Sequence, residues 1–346
     1  MIKRRQTLLA AFAGAALANL PAKALCYSGR VKPIHEQAYL PIGGIEQWVQ
    51  IMGADRRNPV LLIVHGGPGS TWDPFTDLFR DWERHFTMVY WDQRGAGKTY
   101  RKTGDAIRKT MTIERMRDDG IELADHLRQH LGGRPIIVLG HSWGSMLGVA
   151  MVQKRPDLFA AFVGTGQVVN MVEAERAGRL ETLRRAQAAG RADAVQELQG
   201  LGEPPYDDIQ KLVIERKWAG TFDTPSDAAF DKNWRNPEWF TKADSDERFK
   251  AWLFSNYIMF GSERQDGPFM AVDLDQSSPL FRIPVIFIQG ADDHITPTFL
   301  VADYERGITA PYKRLMLLPG GGHNAVFAMK DAFLEALLGS LGPIGF

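Results

Sequence analysis

Residues 136–145 read IIVLGHSWGS, in which an apolar run leads into Gly140-His141-Ser142-Trp143-Gly144. The apolar run predicts a buried strand, and the run from Ser145 to Gln153 predicts a helix. A serine at such a strand-to-helix junction, with glycine two positions before and after it, is typical of a tight turn that lifts the serine hydroxyl clear of the sheet. Ser142 is therefore the predicted nucleophile.

The rest of the chain predicts an α/β fold with a mostly parallel central sheet. Mostly apolar residues that recur at three- and four-residue spacing predict a helix over 113–131, with Thr112 as its N-cap. A closing helix is expected over 325–341. Apolar strands that alternate with helices are typical of a sheet covered on both faces. The predicted strands lie at 38–42, 45–52, 59–64, 86–91, 135–139, 159–163, 283–288 and 314–318, the first two as a hairpin around Gly43-Gly44.

Residues 167–280 differ from the rest because they are rich in charge, tryptophan and helix formers and lack apolar strand runs. We interpret them as a helical cap inserted between strands of a core made of residues 25–166 and 281–346. The cap tryptophans are expected either to line a pocket or, one by one, to serve packing.

The N-terminal 24 residues have the features of an export signal. A basic KRR at 3–5 precedes a short apolar run at 8–18, and AKA at 22–24 is a cleavage site. Arg4-Arg5 suits a twin-arginine signal, although Thr7 stands where a bulky apolar residue is usual, so both export routes stay open. We expect a periplasmic or secreted protein without stable membrane insertion after cleavage, and an uncleaved anchor is the alternative.

Composition excludes several classes of function. Lysine plus arginine equals aspartate plus glutamate at 41 each in 346 residues, so no basic excess indicates a nucleic-acid partner. Cys26 is the single cysteine, which excludes an intrachain disulfide and a cysteine metal cluster, and we interpret it as uninvolved in catalysis.

A serine nucleophile needs a base that titrates near neutrality, and a carboxylate that orients this base. His323 follows the last predicted strand in Pro319-Gly320-Gly321-Gly322-His323 and is the expected base. Asp292 and Asp293 follow the strand at 283–288, and on the residues alone either could orient His323. The order serine, aspartate, histidine matches that of α/β-hydrolases.

The loop His65-Gly66-Gly67-Pro68-Gly69 follows another predicted strand. Acyl transfer creates an oxyanion, which backbone N–H groups stabilise. We expect these donors to be the amides of Gly67 and Trp143, with Gly66 as the alternative to Gly67.

Two other motifs resemble binding sites, one for a phosphate and one for a metal. Gly95-Ala96-Gly97-Lys98-Thr99 looks like a phosphate-binding loop, but Asp92 occupies the place of its first glycine. His294 beside Asp293 lacks a second carboxylate–histidine pair that could complete a metal site. The sequence therefore implies neither a cofactor nor a metal.

Taken together, His65-Gly-Gly-Pro-Gly69, Trp91-Asp-Gln-Arg-Gly95, Gly140-His-Ser-Trp-Gly144, Gly290-x-x-Asp293 and Gly322-His323 resemble the proline iminopeptidase family of α/β-hydrolases, from about residue 39 to 341. The resemblance implies an α/β-hydrolase fold and favours Asp293, three residues after the glycine, as the triad acid. It also implies removal of an N-terminal residue, typically proline, from peptides without a metal.

Members of that family bind the free amine of the substrate with acidic side chains, several of which lie in the cap. Here Glu173, Glu215 and Glu238, with Glu175, are the candidates. The leading hypothesis is thus a serine aminopeptidase that acts on short peptides. An esterase, lactonase or amidase for an apolar small molecule is the second hypothesis, and a binding protein without catalysis is the third.

Overall fold

The computed structural model describes residues 31–346, so the expected export signal at 1–24 and Cys26 lie outside the described residues. Within them, eight strands form one sheet in the order β1-β2-β4-β3-β5-β6-β7-β8. Their bounds are β1 Ile34–Ile42, β2 Ile45–Gly53, β3 Val60–Val64, β4 Thr87–Trp91, β5 Ile136–His141, β6 Phe159–Thr165, β7 Val285–Gly290 and β8 Lys313–Leu318.

The sheet is parallel from β4 to β8 and antiparallel at the β1–β2 and β2–β4 pairings. This confirms the predicted mostly parallel α/β sheet. Strand β1 begins four residues before the predicted position 38, because Ile34 continues the ladder opposite Gly53. Gly43 and Gly44 form the hairpin turn with φ values of 58° and 76°, a backbone region that favours glycine.

The central strands are buried on both faces, as their continuous apolar sequence predicts. Leu62 and Val138 belong to one hydrophobic cluster, whereas their neighbours Leu61 and Leu139 belong to the cluster on the opposite face. The first cluster packs the sheet against helices α2 and α3, and the second against the 3₁₀ segment Asp73–Arg84 and the C-terminal helix. The bounds of α2 are Ile113–His130 and those of α3 are Trp143–Lys154.

Helix α2 begins at Ile113, where the sequence predicts it. The N-cap prediction for α2 is confirmed, because the Thr112 hydroxyl accepts a hydrogen bond from the Arg115 amide at 3.1 Å. Among residues 31–346, none of the helices combines the length and the hydrophobicity that a membrane span requires. The others are α1 Gly97–Thr103, α4 Met171–Ala188, α5 Ala192–Gly200, α6 Ile209–Thr221, α7 Pro225–Asn233, α8 Lys242–Met259, α9 Leu274–Ser277, α10 Thr298–Gly307, α11 Ala325–Ala328 and α12 Lys330–Leu341, with further 3₁₀ segments at Gly104–Thr110, Pro156–Leu158, Pro268–Ala271 and Gly342–Ile344.

The single closing helix predicted over 325–341 is wrong. The backbone leaves the helical region at Met329, where φ is −126° and ψ is 36°, and separates α11 from α12. The two pieces serve different partners. Phe327 of α11 packs on Trp72 at 4.5 Å between ring centroids, whereas Phe333 of α12 packs on Trp82 at 5.7 Å.

The segment 167–280, predicted to be a cap, contributes helices α4 to α9 between β6 and β7 and no strand of the described sheet. His294 lies in the turn after β7 and reaches this segment, with its Nε2 atom 3.3 Å from the Ala219 carbonyl oxygen of α6. His294 thus forms a contact between the turn after β7 and helix α6. Lys98 of the loop that resembles a phosphate-binding motif pairs with Asp73 at 2.9 Å, and its backbone N–H donates to the Asp92 carboxylate at 2.7 Å.

Candidate active site

Ser142 stands at the junction of β5 and α3 with φ at 54°, the left-handed region that non-glycine residues rarely adopt. The flanking glycines make this turn possible. A Cβ atom on Gly140 would lie 2.5 Å from the Gly144 carbonyl oxygen, and one on Gly144 would lie 1.9 Å from the Val64 carbonyl oxygen. No larger residue fits at either position, so the predicted requirement for glycine has a steric cause.

His323 joins Ser142 from the loop after β8. Its Nε2 atom lies 3.0 Å from the Ser142 hydroxyl oxygen, and its Nδ1 atom lies 3.0 Å from Oδ2 of Asp293. The three side chains that were predicted to act together therefore form one continuous hydrogen-bonded chain. This is the geometry that lets a histidine take the hydroxyl proton while a carboxylate holds the ring in one tautomer.

The structure distinguishes Asp293 from Asp292. The Oδ1 atom of Asp293 accepts the amides of Ile295 and Thr296, both at 2.9 Å. Its Oδ2 atom accepts the Thr296 hydroxyl at 2.7 Å and the Gln289 amide group at 2.8 Å, in addition to His323. Asp292 is exposed at the start of the same turn. Only Asp293 is brought to His323, and its carboxylate is held in a fixed orientation.

These contacts set the ionisation of the pair. Burial alone would raise the pKa of Asp293, but the charge of His323 and the hydrogen bonds from His323 and Thr296 leave that pKa below its usual value. Burial alone would lower the pKa of His323, but the charge and hydrogen bond of Asp293, with the charges of Asp227 and Asp223, raise it above its usual value. His323 is thus a stronger base than a free histidine.

The predicted oxyanion donors lie beside the serine. A Cβ on Gly66 would stand 2.9 Å from the Ser142 Cβ, which places the Gly66-Gly67 backbone against the nucleophile. Gly67 adopts φ of 115°, open only to glycine. Within the described residues the amides of Gly67 and Trp143 donate to no protein acceptor. Both remain free to bind a developing oxyanion.

Gln93 connects the two parts of this site, a role that the sequence analysis missed. Its side-chain amide donates to the His65 carbonyl at 2.9 Å, and its carbonyl accepts the Trp143 indole N–H at 3.1 Å. The backbone N–H of Gln93 donates to Nε2 of His65 at 3.2 Å, and burial lowers the pKa of His65 to about 4. Neutral His65 is therefore a hydrogen-bonding residue of the loop. The motif Trp91-Asp-Gln-Arg-Gly95 contributed to the resemblance to proline iminopeptidases but did not indicate this bridge.

Asp227 of α7 is a second residue that the sequence analysis missed. It is buried, and its carboxylate accepts the amides of Gly322 at 3.4 Å and Asn324 at 2.6 Å, on either side of His323. On the opposite side, Nε2 of His141 lies 3.1 Å from the His323 carbonyl oxygen. The base is thus held in place from both the cap segment and the core.

An open cavity of about 520 Å³ adjoins Ser142 and His323, within the range of small-ligand sites. Among the described residues, its charged lining consists of Arg216, Arg248 and Asp231. The remaining wall is mainly apolar and comes largely from the segment 167–280. It includes Trp72, Phe75, Val168, Met171, Ile209, Leu212, Val213, Phe230, Trp252, Leu253, Tyr257, Phe260, Phe269, Ile295 and Phe327.

The structure brings none of the predicted amine-binding glutamates into this wall. Glu173 faces solvent and pairs with Arg176 at 2.7 Å, and Glu238 is exposed. Glu215 is buried behind the wall, where it pairs with Arg216 at 3.1 Å, and burial raises the pKa of its carboxyl to about 7. The sequence placed these acids in the segment 167–280 but could not show which of its side chains turn toward Ser142.

Comparisons with known proteins show which family the chain belongs to. Residues 59–328 match the family model described as alpha/beta hydrolase fold. The chain is 30% identical to a Bacillus subtilis protein named probable aminopeptidase YbaC, over 86% of this chain and 93% of that one. It is 24% identical to a proline iminopeptidase of Lactobacillus delbrueckii subsp. lactis, over 87% of this chain and 96% of that one.

A solved structure, the proline iminopeptidase of Mycobacterium smegmatis, superposes with a TM-score of 0.63 at 21% identity, over 90% of this chain and 99% of that one, and supports the fold. The family match covers most of the chain, and the predicted resemblance to proline iminopeptidases is confirmed by these relatives. The chain therefore belongs to the α/β-hydrolase fold family of hydrolases, where its relatives include aminopeptidases and proline iminopeptidases.

Proposed function

We propose that this hydrolase is a serine aminopeptidase that releases the N-terminal residue, with proline as the first candidate, from short peptides. The observation that carries the proposal is the chain of 3.0 Å contacts from Ser142 through His323 to Asp293 at the edge of an open cavity. The B. subtilis relative named as a probable aminopeptidase supports the choice of peptide substrates.

In the proposed mechanism, the Ser142 oxygen attacks the carbonyl carbon of the first peptide bond while His323 accepts the hydroxyl proton. The amides of Gly67 and Trp143 stabilise the resulting oxyanion. The tetrahedral intermediate collapses, the C–N bond breaks, and His323 gives its proton to the leaving amine. Water, deprotonated by His323, then hydrolyses the acyl-enzyme and regenerates Ser142.

An aminopeptidase must recognise a free amine, and we assign this role to Asp231 of α7. Asp231 lines the cavity, whereas Glu173, Glu215 and Glu238 do not. We expect Asp231→Asn to raise KM for proline p-nitroanilide about ten-fold or more, because a charged hydrogen bond is lost, with little change in kcat. Steady-state kinetics test this, and an unchanged KM would remove Asp231 from amine recognition.

The apolar and aromatic cavity wall favours a second candidate, an esterase, lactonase or amidase for an apolar small molecule. Hydrolysis of proline p-nitroanilide and of p-nitrophenyl butyrate by one preparation distinguishes the two. Activity on the ester alone would refute the aminopeptidase proposal.

We expect Ser142→Ala to reduce either activity by about 10⁴–10⁶-fold while the protein stays folded by circular dichroism. A fluorophosphonate probe should label wild-type Ser142. Absence of labelling, together with absence of turnover, would favour the binding-protein hypothesis.

We also propose that the chain is exported and acts in the periplasm or outside the cell, on the basis of the N-terminal KRR, apolar run and AKA site. Cell fractionation with mass spectrometry of the mature N-terminus tests this. Cytoplasmic protein that retains residues 1–24 would contradict it.

A further inference from the structure

Arg248 of α8 is a charged group in the cavity wall that the proposed chemistry leaves unused. It lines the same cavity as Ser142 and His323. Its guanidinium carbon lies 5.4 Å from the centroid of the Phe75 ring, a cation–π distance. Among residues 31–346, no carboxylate forms an ion pair with it and no acceptor takes its hydrogen bonds.

The neighbouring acids are committed elsewhere. Asp244 and Glu247, on the same helix, both pair with Arg101. Burial lowers the pKa of Arg248, and no nearby carboxylate offsets this effect. Arg248 is therefore a partly desolvated cation with five N–H donors and no counter-ion among residues 31–346.

Arg216, the other cation in the wall, provides a contrast. Its guanidinium pairs with the buried carboxylates of Glu175 and Glu215. Its charge is satisfied within the protein, so it has little to offer a ligand. Of the two arginines in the cavity wall, only Arg248 presents an uncompensated charge to the cavity.

We propose that Arg248 binds a carboxylate of the substrate. A guanidinium matches a carboxylate with two parallel hydrogen bonds, and in an apolar cavity such a charged pair is stronger than in water. The inference deepens the proposed function, on which it rests for the peptide bond: a short peptide carries a C-terminal carboxylate, while Asp231 takes its amine. The favoured substrates are thus dipeptides or tripeptides with a free C-terminus.

The test compares substrates that differ only in the carboxylate. In the peptide pair, prolyl-glycine carries a carboxylate on the leaving group and prolyl-glycinamide lacks it. In the ester pair, mono-p-nitrophenyl succinate carries a carboxylate on the acyl group and p-nitrophenyl butyrate lacks it. We expect the wild-type kcat/KM to be about ten- to a hundred-fold higher for prolyl-glycine than for prolyl-glycinamide. Arg248→Met should abolish this preference, and Arg248→Lys should restore part of it.

Lys250→Met is the matched control, because it removes one positive charge from an exposed position of the same helix that does not line the cavity. It should keep the wild-type preference, and thermal melting should show both variants folded. In the Ser142→Ala background, calorimetry should show tighter binding of prolyl-glycine than of its amide, and Arg248→Met should remove the difference.

The outcomes separate this proposal from the proposed function. Proline p-nitroanilide has no carboxylate, so its hydrolysis by the wild-type protein tests the aminopeptidase proposal alone. An Arg248-dependent preference confined to the ester pair would support the carboxylate site and move it to the acyl side. Equal rates within both pairs, or a preference that survives Arg248→Met, would overturn the carboxylate site.

Discussion

His323 titrates among acidic side chains, and this determines the pH at which the site can work. Asp293, Asp227 and Asp223 raise its pKa, whereas the neighbouring His141 is buried and its pKa falls to about 3, so it stays neutral. Burial raises the pKa of Asp223 to about 6, so part of this negative charge is lost in mild acid. The base must be neutral to accept a proton from Ser142.

We therefore expect kcat/KM to rise with pH along an acid limb whose midpoint lies above 6.5, the ordinary histidine value. Below the raised pKa, His323 is protonated and inactive, and above it the neutral ring acts as base. An uncharged substrate such as p-nitrophenyl butyrate isolates this titration from that of a substrate amine. A midpoint at or below 6.5 would show that burial outweighs the three carboxylates.

The triad acid shows how far single residues can be predicted from sequence. Two adjacent aspartates after β7 are equivalent by composition, and the resemblance to proline iminopeptidases was needed to favour Asp293. The structure gives the physical reason, since the turn directs the amides of Ile295 and Thr296 to Asp293 and leaves Asp292 exposed. This turn geometry depends on backbone angles that no residue pattern specifies.

Helix α7 is the element that connects the cap segment to the catalytic base. Asp227 holds the amides on both sides of His323, while Asp231, one turn later, lines the cavity. Contiguous motifs such as the serine turn could be predicted because their partners are neighbours in sequence. The role of Asp227 could not be predicted, because its partners lie 95 and 97 residues away in the sequence. Its contacts with them depend on how α7 docks on the core.

We expect Asp227→Asn to lower kcat about ten-fold and to move the acid limb to lower pH. The first effect follows because an asparagine cannot accept both amides as a carboxylate does, and the second because one negative charge near His323 is lost. Asp231→Asn is the matched control on the same helix and should change KM instead. If the acid limb kept its wild-type midpoint in Asp227→Asn, Asp227 would have no electrostatic effect on the base.

At the scale of the whole molecule, the antiparallel edge of the sheet is tied to its parallel part by a buried ion pair. Arg94 and Asp119 are 1% and 0% exposed and lie 2.8 Å apart. Arg94 also donates to the Gly43 carbonyl in the β1–β2 turn at 2.8 Å and to the Thr110 hydroxyl at 2.9 Å. One side chain thus joins the hairpin, the loop after β4 and helix α2, next to the Gln93 bridge of the active site.

Removal of one charge from this pair should destabilise the entire fold, because the remaining charge stays buried without a partner. We expect Asp119→Asn to lower the free energy of unfolding by about 3–5 kcal/mol. Asp118→Asn is the control, since Asp118 is 42% exposed and pairs with Arg117 at the surface, and surface changes of this kind stay within about 0.5 kcal/mol. Urea unfolding followed by tryptophan fluorescence measures both. Equal stability of the two variants would mean that hydrogen bonds from Arg94 to neutral acceptors suffice to hold the hairpin on the sheet, and that the charge of Asp119 adds nothing.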